Sequence, residues 1–203
     1  MDSKKTLILA FLLLGSVLFG LNNSEIRNKI LAKYSDCKTF QAEFSQYNYW
    51  PSYDKSNKSE GNIYFNSQKM ILKYISPHQQ YLYLHSDSLL IYNVESNQVM
   101  ISEQTGLFSD FKISNIIKKY WNKNVAKVEF DGSEYKITLN LTNQDVKSIT
   151  LIFTPEFVLK KMKYIDKNSN EISLSLKKLA INKKLPKNVF ELKIPKDANI
   201  IVR

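Results

Sequence analysis

Few side chains in this sequence are of types that could do chemistry. It has one cysteine, Cys37 in YSDCKTF, and two histidines, His78 and His85. A lone thiol can form no disulfide within the chain, and a nucleophilic thiolate needs a basic partner. An ordinary structural zinc site built from Cys and His takes four ligands, more than the three present. Cys37 therefore reads as packing at a helix end. His85 sits in HSDS with Ser86, Asp87 and Ser88, the residue types of a nucleophile, base and orienting acid. Those roles need groups that converge from different directions, whereas neighbours in a tight turn diverge, so an exposed turn is the reading. Glu129 and Asp131 share a strand face but end at a hairpin, where solvated carboxylates are ordinary. With five glycines there is no glycine-rich phosphate loop, and neither G-x-S-x-G nor H-E-x-x-H occurs. The expectation is a binding protein with no cofactor rather than an enzyme.

What such a protein binds must be sought in the elements. The densest stretch runs from Gly61 to Asn93, rich in Tyr, Ile, Leu and Phe and cut by polar residues at Asn66–Gln68, Ser76–His78 and His85–Ser88. Short runs of this composition between turn formers predict consecutive antiparallel strands, near 63–65, 69–75, 79–84 and 88–94, with a short one at Val99–Ile101. Several are apolar on both faces. A sheet with one wet face needs only one apolar face, so the second must be covered or must hold an apolar ligand.

Upstream, Ser24 is placed to cap a helix of about twelve residues bearing Ile26, Ile30, Leu31 and Tyr34. Phe40, Ala42 and Phe44 then alternate with polar residues as a strand does, and Asn48–Lys58 reads as a flexible loop. Downstream, Leu107, Phe108, Phe111, Ile113, Ile116, Ile117, Tyr120 and Trp121 abandon alternation, and Ser114 is placed to cap a second helix. Strand patterns resume at Tyr135–Leu141, Ile149–Phe153, Val158–Tyr164, Ile172–Leu176 and Phe190–Ile194. Turn signals lie at Asp131-Gly132, Thr142–Asp145 and Asp166–Asn170. About ten strands, two helical stretches and no βαβ rhythm predict a mainly β, α+β protein: one large antiparallel sheet with helices on one side.

The first twenty residues stand apart. Lys4 and Lys5 precede TLILAFLLLGSVLFG, the pattern of a cleaved secretory signal peptide, with 21–203 as a single domain. The competing reading, a membrane anchor, needs roughly 20 apolar residues, and this run is shorter. Losing Lys4, Lys5 and Asp2 with that segment takes the net charge from +10 to +9. Such a charge suits nucleic acid, an anionic membrane surface or an acidic partner. Export argues against nucleic acid, and the lysines are scattered through strands as a solvated face.

The run Thr39-Phe40-Gln41-Ala42-Glu43-Phe44-Ser45-Gln46 resembles the opening of the periplasmic outer-membrane lipoprotein carrier family, LolA. The order continues with Gly61-Asn62-Ile63-Tyr64-Phe65, then Tyr74-Ile75-Ser76-Pro77, then Leu89-Leu90-Ile91-Tyr92-Asn93. It ends with Phe190-Glu191-Leu192-Lys193-Ile194-Pro195 before Asn199-Ile200-Ile201. The resemblance spans 24–203. It implies an incomplete, strongly curved antiparallel half-barrel closed by lid helices over an apolar cavity. It also implies a periplasmic chaperone that carries acylated lipoproteins from the inner to the outer membrane. The partners implied are an inner-membrane ABC-type release complex and an outer-membrane acceptor, with the carrier a monomer. The cavity residues implied or inferred from it are Met70, Leu72 and Tyr74, at i, i+2 and i+4, with Leu82, Leu90 and Tyr92. The lid residues are Phe108, Phe111, Ile117 and Trp121. Where the family places an arginine that ties the lid shut, this chain has Asn66-Ser67-Gln68-Lys69. The alternative function is a periplasmic lipid-binding sensor or regulatory protein of the same fold.

Overall fold

The computed structural model describes residues 21–85, 88–103, 112–121, 126–141 and 146–203. Two helices, α1 (Asn23–Tyr34) and α2 (Ile113–Tyr120), accompany twelve strands. The strands are β1 (Thr39–Trp50), β2 (Lys55–Asn66), β3 (Lys69–Ser76), β4 (Gln80–His85), β5 (Ser88–Asn93) and β6 (Gln98–Glu103). Then come β7 (Ala126–Phe130), β8 (Tyr135–Asn140), β9 (Val146–Phe153), β10 (Leu159–Asp166), β11 (Glu171–Ile181) and β12 (Asn199–Val202). All twelve form one sheet in the order β12-β6-β5-β4-β3-β2-β1-β11-β10-β9-β8-β7. Every pairing is antiparallel except β12 beside β6, which is parallel. β12 and β7 are the two edges, so the sheet curls without closing: an open half-barrel.

The sheet is two antiparallel meanders, β1–β6 and β7–β11, joined where β1 pairs with β11. Its longest hairpin is β1–β2, paired without a break from Thr39↔Asn66 to Trp50↔Lys55. The polar stretch 48–58 is thus mostly strand, not a loop; only Pro51–Tyr53 and Asp54 turn the chain. Both faces are wet there, so no apolar alternation betrays the strand, and backbone pairing alone carries it. Elsewhere the turn chemistry is as the sequence indicates. The Asp131 carboxylate accepts from the Ser133 and Glu134 amides, and Asp166 from those of Asn168 and Asn170. The turn signal Thr142–Asp145 lies outside the described residues.

Helix α1 is capped by Asn22 rather than Ser24. The Asn22 side chain accepts from the Glu25 amide and Glu25 returns a carboxylate to the Asn22 N–H, a reciprocal capping box. Helix α2 starts at Lys112 with no side-chain cap; Ser114 lies inside it and is buried. Both helices pack on the inner face over β8–β10. With Ile137, Leu139, Ile149, Leu151 and Phe153 they form a core in which these five strand residues, Ile30, Ile116 and Ile117 are fully buried.

The segment Phe190–Ile194 is not a strand. Its alternation is real, with Leu192 and Ile194 half-buried between exposed Glu191 and Lys193, but it pairs with nothing. The chain leaves β11 beside β1 and re-enters the sheet at the far edge, beyond β6, so residues 182–198 must cross six strands. They cross on the outer face. Ile71, Tyr92 and Val99 lie on the face away from both helices, yet are 0, 5 and 1 % exposed. Val189 is buried and belongs to neither inner-face cluster. This strap is pinned at both ends: the Asn182 carboxamide accepts from Lys38, and the Asn199 amide donates to Asn97. The second apolar face of the Gly61–Asn93 stretch is therefore covered by the chain's own C-terminal segment.

Candidate functional site

The inner face of β1–β5 can be read directly from the pairing, because residues opposite one another in an antiparallel pair share a face. Ala42 faces Ile63, Ile63 faces Leu72, Leu72 faces Leu82, and Leu82 faces Ile91. One step along lie Phe40, Phe65, Met70, Leu84 and Leu89. These rows form a continuous apolar wall whose buried members are all strand residues, with no helix residue among those described.

Of the residues expected in a cavity, Met70, Leu72 and Leu82 stand on this wall, buried, and Tyr74 stands at its lower border. Leu90 and Tyr92 do not join them. Leu90 pairs with Tyr83 and Ile101, and Tyr92 with Tyr81 and Val99, so both belong to the outer face. Their alternates Leu89 and Ile91 take the inner positions. Register decides this: His85 pairs with Ser88, and the shortness of that connection was the available signal. Ile117 and Trp121 are buried in the helix-covered core with α1 and β8–β10, not against the wall. Phe108 and Phe111 lie outside the described residues.

Spacing along single strands missed Ile63, Phe65, Leu84 and Ile91, and also the contribution of β11. Leu176 and Leu179 pack against both the wall and the helix-covered core. At this junction is a cavity of about 70 Å³. Phe40, Ile63 and Phe65 line one side, and β11 with Leu159 and Met162 of β10 the other. Tyr34 and Cys37 at the end of α1, and Lys112 and Ile113 at the start of α2, complete its lining.

Each helix end at this cavity has a defined tie. Tyr34 accepts a 2.8 Å hydrogen bond from the Leu159 amide, and burial pushes its phenol up to about 12. Burial likewise raises the Cys37 thiol, whose S–H lies 3.5 Å from the Thr39 carbonyl oxygen, a packing role and not that of an activated thiolate. The Lys112 ammonium sits 5.6 Å from the centre of the Phe65 ring. A cation at a helix N-terminus opposes the helix dipole, and this cation–π contact offsets that penalty. Asn66, in the turn where the resemblance implied an arginine, instead uses its carboxamide oxygen to hold the Gln68 and Lys69 amides.

Gly61 shapes the lower border of the wall. A Cβ there would collide with the Lys73 carbonyl and stand 2.9 Å from Phe44 Cζ. Its absence lets the Phe44 and Tyr74 rings meet edge to face, with centroids 5.0 Å apart.

A curled open sheet, an apolar inner wall and two helices over one side of it form a distinctive combination. The family model for the outer membrane lipoprotein carrier protein LolA matches residues 35–193. The chain belongs to the LolA family. A carrier of this kind, the outer-membrane lipoprotein carrier protein of Campylobacter jejuni, is 24 % identical over 201 residues, 98 % of this chain and 99 % of that protein. Among solved structures, an uncharacterized conserved protein from Thermus thermophilus aligns with a TM-score of 0.55 at 11 % identity, over 90 % of this chain and 100 % of its own. A LolA superfamily protein from Nitrosomonas europaea aligns at 0.44 and 11 % identity, over 85 % and 99 %. Within the LolA frame, the wall from Phe40 to Ile91 and the cavity beneath Lys112 are the candidate binding surface. The exposed His85 is not part of that wall.

Proposed function

We propose that this protein is a periplasmic carrier that holds the acyl chains of lipoproteins against the inner wall of its half-barrel and moves them from the inner toward the outer membrane. The observation that carries the proposal is the continuous apolar wall made of strand residues alone, in a LolA-family chain. Acyl chains bury about 0.8 kcal/mol per methylene and do not leave a bilayer for water unaided. Met70, Leu72, Leu82 and Tyr74 are the proposed contacts, joined by Ile63, Phe65, Leu84 and Ile91. Leu90 and Tyr92 are assigned to the outer face and left out. Residues 1–20 act as the cleaved export signal. Loading comes from an inner-membrane ABC-type release complex, and delivery goes to an outer-membrane acceptor.

A cavity of about 70 Å³ is several-fold smaller than the roughly 300–1,000 Å³ of sites for drug-sized ligands. The junction must therefore widen to admit acyl chains. Ile116, Ile117 and Trp121 root α2 in the sealed core, so the opening is at its N-terminal end, where Lys112 and Ile113 meet Phe65.

Mature protein incubated with spheroplasts should release a labelled triacylated lipoprotein as a soluble one-to-one complex. Leu72→Glu should abolish that release while leaving the folded circular-dichroism spectrum intact. No soluble complex with the wild-type protein overturns the proposal. The family also accommodates a lipid-binding sensor, which would bind the lipoprotein yet fail to deliver it to acceptor membranes.

A further inference from the structure

Below the apolar wall the inner face changes character. Past Tyr74 the inward positions are Gln46 and Asn48 on β1, Asn57 and Ser59 on β2, Gln80 on β4 and Asn93 on β5. They line an open hollow of about 380 Å³, within the size range of ligand sites. Tyr74 joins the two regions: its ring packs on Phe44 in the wall, and its hydroxyl donates to Gln46 Oε1 at 2.8 Å.

We infer that this hollow binds the neutral peptide segment next to the acylated end of the cargo, while the acyl chains lie on the wall above. The inference rests on the carrier reading given above. Its chemistry follows from the lining. Carboxamides present donors and acceptors together without charge, which matches the peptide group. The amides hold one another in place: Gln46 donates to Asn48, Asn48 to Asn57, and Gln80 to Asn93. That leaves the Asn57 and Asn93 amino groups and Gln80 Oε1 without partners among the described residues, preset in position. Among the described residues no Lys or Arg lines the hollow, and the one basic group there, His78, is engaged by Glu95 at 2.8 Å, so a phosphate or carboxylate finds no free cation among them. A sugar would want an exposed aromatic platform; among the described lining residues the one Phe, Tyr or Trp ring, that of Tyr74, is turned into the wall, and the His78 ring is held by Glu95.

The test uses the mature protein and three synthetic ligands that share a triacylated cysteine. One ends there as an amide, one continues with about four Ser, Asn and Gly residues, and one continues with as many Glu. Affinities are read by displacement of a fluorescent fatty acid. The neutral tail should tighten binding over the bare head, and the acidic tail should not. The double variant Asn57→Ala/Gln80→Ala should lose the increment from the neutral tail, about fivefold for each hydrogen bond removed, and bind the bare head as the wild type does. Equal affinity of the wild type for bare and neutral-tailed heads overturns the inference while leaving the carrier reading intact, and this comparison needs no variant to fold. An equal loss for both heads in the variant also overturns it. Binding of none of the three ligands overturns the carrier reading and this inference with it.

Discussion

The two halves of the inner face are built from the same kinds of residue and do different work. Over β8–β10, Ile137, Leu139, Ile149, Leu151 and Phe153 meet α1 and α2 and are wholly buried. Over β1–β5, Ala42, Ile63, Met70, Leu72 and Leu82 form an equally apolar surface with no helix residue among its described members. The first half has spent its apolar area on holding helices. The second has no described helix built into it, and the carrier proposal makes it the area whose partner is exchanged. The cavity under Lys112 lies on the seam, where Leu176 and Leu179 belong to both. A carrier needs this division, since a uniformly sealed core would have no surface to lend, and a uniformly open one would not stay folded without cargo.

The contrast can be broken from either side. Phe153→Ala, in the sealed half, should cost about 3–5 kcal/mol in urea unfolding, because rigid helices cannot collapse into the space. Tyr34→Phe should cost about 1–3 kcal/mol, since it strands the Leu159 amide beneath the end of α1. The Tyr34 and Tyr74 phenols are both pushed up to about 12 by burial, above an ordinary value of 10.0. The stability they lend is therefore full below pH 10 and is lost as the pH rises toward 12. Thermal melts across that window should fall more steeply for the wild type than for Tyr34→Phe. Smallest in energy, Lys112→Ala should cost no more than about 1 kcal/mol, yet it should raise amide exchange at the start of α2 and speed uptake of a fluorescent fatty acid. A Lys112→Ala penalty as large as that of Phe153→Ala would show that the halves are one core, and the division would fall.

Much of this was legible in the sequence, and the failures share a cause. Alternation at Tyr135–Leu141 and Ile149–Phe153 located strands because one face of each is wet. The Met70, Leu72 and Tyr74 triplet was correctly set on one face because the three belong to a single strand. Leu90 and Tyr92 went to the wrong face because joining strands requires a register, and within 88–93 both faces are apolar. Asn48–Lys58 concealed twelve-residue strands since neither face there is buried enough to leave a pattern. Phe190–Ile194 mimicked a strand because a strap lying on a sheet also turns alternate side chains inward. Contact between Lys112 and Phe65 joins residues remote in sequence, so local spacing holds no trace of it.

The C-terminal strap also sets the order of events when the protein is made. β1, the first strand synthesised, is completed on one side only by β11, and the outer face of β3–β6 is covered only once residues 182–198 lie across it. The meander β1–β6 thus emerges with a bare apolar face on each side and must wait for β11 and residues 182–198. Such long-range closure makes folding slow. If the chain is exported as proposed above, such a delay would help, because an unfolded polypeptide can be threaded through a membrane and a folded half-barrel cannot.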